Sequence, residues 1–225
     1  MPEREKMAKG YPIPAREARA EIMVVNSRFI ATAAPAFTVE DAKAFIQRIK
    51  REFADASHHV PAYLVGYGST VIAHCTDAGE PSGTAGRPVL AVLRGSGLGD
   101  IVVVITRYFG GTKLGTGGLV RAYTEATQAV LAALPRAKKI PTHTVMFSLP
   151  YAYFEQARLM VTEGGGQILD EEFSAEVTIT AMFWVERFPQ FQQELIELTR
   201  GVVKALIIET NPDTIVPMGS NEGPG

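Results

Sequence analysis

The chain has 225 residues, one cysteine, 22 Lys+Arg against 24 Asp+Glu, and an apolar share of 46%. This is the profile of a globular protein with enough chain for two small domains. A lone Cys75 excludes an intrachain disulfide and a cysteine-built zinc cage. The first twenty residues are studded with charge, and the longest aliphatic run, Ile101 to Ile105, is far short of the roughly 20 residues that cross a bilayer. The expectation is a cytoplasmic protein with no signal peptide and no membrane segment.

The small net charge hides a division. Residues 1–142 carry 18 Lys+Arg against 12 Asp+Glu, whereas residues 143–225 carry 4 against 12. Such asymmetry points the first half toward a polyanion and leaves the second to repel one or to meet a protein partner. The alternative is two merely solvated surfaces.

In chain order, Glu21 to Ala33 is rich in Val, Ile and Phe without a helical period and predicts one or two strands. A helix follows, with Thr38 and Asp41 spaced as a capping box and Ala42, Phe45, Ile46, Ile49 and Phe53 on one stripe. Ala62–Tyr67 and Thr70–Cys75 predict a hairpin turned at Gly68-Ser69, Asp100–Thr106 a buried strand, and Leu119–Leu134 an alanine-rich helix. Residues 134–141, polar and bracketed by Pro135 and Pro141, are expected to be an interdomain linker. Beyond them come strand (Thr144–Leu149), helix (Tyr153–Glu163), strand (Gln167–Phe173), strand (Glu176–Val185), helix (Phe188–Thr199) and strand (Val202–Glu209). That β-α-β-β-α-β order is the ferredoxin-like arrangement. The expected domains are 1–140 and 141–212, with 213–225 a flexible tail that has little to bury.

Two glycine-dense segments stand out, Gly79 to Gly86 and Arg107 to Arg121. Glycine is expected where backbone takes positive φ or closely approaches another group. In the second segment the glycines lie between a buried strand and a helix, with Arg107, Lys113 and Arg121 around a helix start whose amides and dipole favour an anion. The plain alternative is a tight strand-to-helix turn with solvated cations. A P-loop is excluded, because Lys113 precedes Leu114-Gly115 instead of following the last glycine. Gly95-Ser-Gly97-Leu-Gly99 is one residue short of a dinucleotide fingerprint and leads into a strand. Gly165-Gly166-Gln167 matches the tripeptide of peptide release factors, but two glycines after a helix serve as a C-cap. His74, Asp77 and Glu80 recur every three residues, with His58-His59 upstream, as candidates for acid–base work or a metal. Spacing in a turn fixes no geometry, so turn hydrogen bonds are the better reading of the two acids.

The stretches HCTDAGEPSGTAG (74–86) and RYFGGTKLGTGGLVRAY (107–123) together closely resemble the signature of the IMPACT/YigZ family, and the resemblance runs over nearly the whole chain. It implies an α+β protein whose N-terminal domain shares the fold of a small-subunit ribosomal protein's second domain and of elongation factor G domain IV. The C-terminal domain is implied to look like the ferredoxin-like domain V of that factor. The chain departs from the family at His59, where an asparagine is usual, and at Ala78, where a second acid is usual. His58 aligns with the family histidine. Eukaryotic relatives are implicated in translational control through a region that includes an additional domain, for which this chain has no room.

The resulting expectation is a non-enzymatic RNA- or ribosome-binding protein linked to regulation of translation. Arg107, Lys113, Gly115, Thr116, Gly117, Gly118 and Arg121 form its anion site. Asp77, Glu80, Ser82, Gly83, Thr84 and Gly86 form the second loop, with His58, Arg87 and Arg94 auxiliary. No catalytic residue, cofactor or metal is assigned. The alternative is an enzyme acting on a phosphorylated or nucleotide ligand in a cleft between the loops, with His58, Asp77 or Glu80 as acid and base.

Overall fold

The computed structural model describes residues 10–218, which divide into two units, one built on Tyr11–Lys138 and the other on Lys139–Val216. The chain is a mixed α+β protein. Among the described residues no helix is long and apolar enough to cross a membrane.

The first unit opens with a short strand β1 (Tyr11–Pro14), then β2 (Ala18–Val24) and β3 (Ser27–Pro35), paired as an antiparallel hairpin. Helix α1 (Val39–Glu52) starts at the expected capping box, with Thr38 and Asp41 each accepting from the other's backbone amide. Strands β4 (His58–Val65) and β5 (Ile72–Cys75) form the predicted hairpin around a single 3-10 turn at Gly68–Thr70. Helix α2 (Gly86–Gly95), strand β6 (Ile101–Tyr108) and helix α3 (Gly115–Ala133) complete the unit.

Its sheet runs β2-β3-β6-β4-β5 with antiparallel neighbours. Alternating side chains give it two buried faces. Ala42, Ile46 and Ile49 of α1 pack on Val102 and Val104, while Val89 and Leu93 of α2 and Leu119, Ala122 and Tyr123 of α3 pack on Val103 and Ile105. Strand β6 is central and covered on both sides, so Ile101 to Arg107 are all buried.

Helix α2 starts on Gly86, the last residue of the first glycine-dense segment, and has Pro88 in its first turn, so it is not among the elements expected from sequence. Proline in the first helical turn forfeits no helical hydrogen bond, and Gly86 is required there, since a Cβ would stand 2.7 Å from the Thr76 carbonyl. Helix α3 begins four residues before its expected start, inside the glycine segment. β1, Tyr-Pro-Ile-Pro, was also missed; its prolines are compatible with the outermost position in the β1-β7 pairing described next.

The expected linker is not a loop. Strand β7 begins at Arg136 and runs without a break to Leu149, with Ala137 and Ile140 buried. Pro135 and Pro141 fix φ at a value that extended chain accepts. The second unit continues with α4 (Phe154–Glu163), β8 (Gln167–Phe173), β9 (Val177–Trp184), α5 (Phe188–Leu198) and β10 (Leu206–Pro217). The sheet order is β1-β7-β9-β8, and β10 also pairs with β7. Val145, Phe147 and Leu149 of β7 and Val177, Ile179, Ala181 and Phe183 of β9 bury against α4 and α5, and burial alternates along β9. The expected tail from 213 is corrected in its first part: β10 continues to Pro217, where Thr214 pairs with Thr142 at 2.6 Å and Asp213 with Lys139 at 3.0 Å. Residues 219–225 of that expectation lie outside the described residues.

Candidate anion-binding site

The loop between β5 and α2 is organised by Asp77. Its Oδ2 accepts from the amide of Gly83 at 2.8 Å, and its Oδ1 from those of Ala85 and Gly86 at 3.1 and 2.9 Å. Burial pushes the Asp77 carboxyl upward, but the three amides and Arg87 outweigh it and hold the group below its ordinary value. Asp77 is therefore a side-chain cap for α2. The loop takes positive φ at Ala78, Gly79 and Gly83, Thr84 Oγ1 donates to Pro81 O, and Ser82 stays exposed.

Glu80 turns the other way, into the unit. Its side chain is 3% exposed, and Oε1 accepts from Arg107 Nη1 at 2.6 Å and from the Tyr123 hydroxyl at 2.7 Å. Its Oε2 lies 4.0 Å from His58 Nε2, while His58 Nδ1 meets the Ala78 carbonyl at 3.0 Å. Arg107, 5% exposed, also donates from Nη2 to Ser27 Oγ at 3.3 Å, and its guanidinium carbon lies 5.3 and 5.6 Å from the ring centroids of Phe29 and Phe109. Burial first, and then the Glu80 carboxylate, push the Tyr123 phenol far above its ordinary value, so it remains a donor. One buried carboxylate thus joins the loop to β6 and α3, with the His58 imidazole of β4 beside it.

The second glycine segment follows β6. Gly110 is pressed against the β2–β3 turn, where a Cβ would collide with the Asn26 carbonyl, and its amide donates to Ser27 Oγ. Gly115, at φ +71°, opens α3. Leu114 at the cap position supplies no side-chain acceptor, and a Cβ at Gly115 or Gly117 would meet nothing within 4 Å. The amides of Thr116, Gly117 and Gly118 therefore begin α3 without a side-chain cap, in open surroundings. Lys113 and Arg121 are exposed and, among the described residues, make no ion pair.

The expected site residues fall into two sets. Arg107, expected at the anion, is spent on Glu80 inside the unit. Lys113, Thr116, Gly117, Gly118 and Arg121 remain on the surface at the start of α3, and Arg87 is exposed in the first turn of α2. His74 is apart from both, its ring stacked on Tyr63. Burial pushes the Cys75 thiol up. Among the described residues, no group of three or more His, Cys, Asp or Glu is placed to hold a metal ion. Gly165 takes φ +74° at the end of α4, and a Cβ at Gly166 would strike the Phe183 ring, so both glycines are accounted for by the turn into β8. Sequence reasoning did not single out Ser27, Phe109 or Tyr123. Tyr123 carried a signal, as the one large polar residue on the buried stripe of an alanine-rich helix. Phe109, 48% exposed at the head of the glycine segment, carried another.

Residues 25–131, which contain both loops, match the Impact N-terminal domain, and residues 147–202 match a domain of unknown function (DUF1949). The chain belongs to the IMPACT family. It is 34% identical to the IMPACT family member YigZ of Escherichia coli over 202 residues, 89% of this chain and 99% of that protein. A solved structure titled only as a hypothetical protein is 34% identical, with a TM-score of 0.59 over 89% of this chain and 98% of the other. A slighter likeness is to the structure of the "two-domain translational regulator Yih1", 22% identical with a TM-score of 0.33 over 56% of this chain and 48% of the other.

Proposed function

We propose that the chain is a cytoplasmic, non-enzymatic RNA- or ribosome-binding protein that acts in the regulation of translation. Lys113, Arg121 and the first turn of α3 take phosphate oxygens, and Arg87 and Arg94 extend the basic surface. One observation carries this reading: the uncapped, glycine-lined start of α3 is flanked by two exposed cations that, among the described residues, no carboxylate neutralises. The exposed Phe109 ring beside it offers a face on which an unpaired base can stack. Glu80 and Arg107 support the site from below by tying its two loops together. We further assign the first unit to the elongation-factor-G domain IV type and the second to the ferredoxin-like type. The latter assignment draws on two helices packed on one side of an otherwise open sheet.

The enzymatic alternative loses two of its three acid–base candidates, because Asp77 serves three backbone amides and Glu80 serves Arg107 and Tyr123. The test is sedimentation with ribosomes and with RNA across a salt series. Phosphate contacts make affinity fall steeply with salt. Wild type is expected to co-sediment at low salt and the Lys113→Glu, Arg121→Glu variant to remain in the supernatant. Absence of salt-sensitive binding by wild type overturns the reading.

A further inference from the structure

We propose that the outer edge of β8, in the second unit, receives an extended peptide in which basic and apolar residues alternate. β8 is the last strand of its sheet, and among the described residues nothing pairs with its outer side. A strand in that position presents a row of backbone donors and acceptors to any extended chain that fits.

The register decides what such a chain meets. Ile168, Glu171 and Phe173 lie opposite Ala181, Ile179 and Val177, all three in the core, so they share the helix side of the sheet. Asp170 and Glu172 lie opposite Thr180 and Thr178 and share the open side, with the register shifted around Leu169. Along this edge a groove of about 380 Å³ is lined by Arg158, Ile168, Leu169, Asp170, Glu171 and Phe173. Its apolar end is built from Phe173, 57% exposed, against the rings of Phe154 and Tyr151 at 5.3 and 6.4 Å. Arg158, the cation of the groove, pairs with Glu171 at 3.3 Å, while Asp170 and Glu172 make no ion pair among the described residues.

An added strand sends successive side chains to opposite faces. One set enters the groove beside Ile168 and Phe173 and is apolar; the other lies over Asp170 and Glu172 and is Lys or Arg. A second copy of this chain does not fit. Two β8 edges laid together oppose acid with acid, which destabilises the pairing, and the bulge at Leu169 further discourages it. The acids that block self-pairing are the same ones that select a basic partner.

The experiment uses the full chain and fluorescence anisotropy at about 0.15 M salt. The probes are a labelled peptide alternating Lys and Val, a block peptide of the same composition, and an alternating peptide methylated at every second backbone nitrogen. The alternating peptide is expected to bind at least about tenfold more tightly than either control. The Asp170→Lys, Glu172→Lys variant and the Phe173→Ser variant, each with an intact thermal transition, are expected to lose about tenfold. Equal binding of alternating and block peptides, or no loss in the Asp170→Lys, Glu172→Lys variant, overturns the proposal, as does failure of the alternating peptide to bind at all. The Lys113→Glu, Arg121→Glu variant is expected to bind the peptide as wild type does, which separates this edge from the RNA surface.

Discussion

Glu80 is the residue whose sequence context says least and whose surroundings say most. In a loop of Gly, Pro and Ser it reads, like Asp77, as an acid that makes turn hydrogen bonds, and the structure corrects this: it ends with Arg107 at 2.6 Å and the Tyr123 hydroxyl at 2.7 Å, almost out of water. Partners 27 and 43 residues away cannot be inferred from spacing. A buried ion pair adds little net stability when complete, but removing one partner strands the other, typically at about 3–5 kcal/mol. Glu80→Ala is expected to cost about that much in urea denaturation, and an Arg107→Met change in the same protein to recover part of it. Asp77 illustrates the opposite case, since its turn hydrogen bonds were foreseeable from residue type and position. Its lowered pKa means that the folded state favours the carboxylate. The contribution is complete above the ordinary aspartate pKa, about 4, and is lost as pH falls through the lower folded value. Asp77→Asn should therefore cost about 1 kcal/mol at neutral pH, and the gap to wild type should close in melts taken below about pH 4.

At the scale of elements, periodicity was a sound guide wherever one face is buried. The stripe of α1 and the alternation of β9 follow from it, whereas the β4–β5 hairpin follows from its turn residues between two apolar runs. Periodicity failed where glycine and proline do structural work inside an element. α2 holds Gly86 against Thr76 and Pro88 in its first turn, and α3 starts on three glycines that resemble a loop. Among those three, Gly117 has no neighbour that demands its lack of a side chain and no positive φ. Gly117→Ala should stabilise α3 by about 0.5–1 kcal/mol, because alanine is the better helix former. If phosphate approaches the Thr116–Gly118 amides, the added methyl stands in its path. The expected result is a higher melting temperature with weaker RNA co-sedimentation. A rise in both would place the RNA contact elsewhere.

For the whole molecule, the division of charge was visible from the outset, and the structure adds where the charges can act. Of the cations in the first half, Arg19, Arg28, Arg48 and Arg107 pair with carboxylates of the same unit, so the excess reaching solvent beside the glycine segment rests on Lys113 and Arg121. In the second unit Asp170 and Glu172 of β8 are exposed, while Glu171 is held by Arg158. A contacted phosphate releases counterions and steepens the salt dependence, by about 0.7 in the logarithmic slope per contact for single strands, whereas an acid that touches no phosphate contributes only to the surrounding field. Replacing Lys113 and Arg121 by Gln is therefore expected to lower the slope of log affinity against log salt by about 1.4. Replacing Asp170 and Glu172 by their amides should leave the slope unchanged and raise RNA affinity slightly, through reduced repulsion of a polyanion. Titrations of both variants against one single-stranded RNA measure the two effects side by side. A slope that responds to Asp170 and Glu172 but not to Lys113 and Arg121 would move the nucleic-acid surface to the second unit.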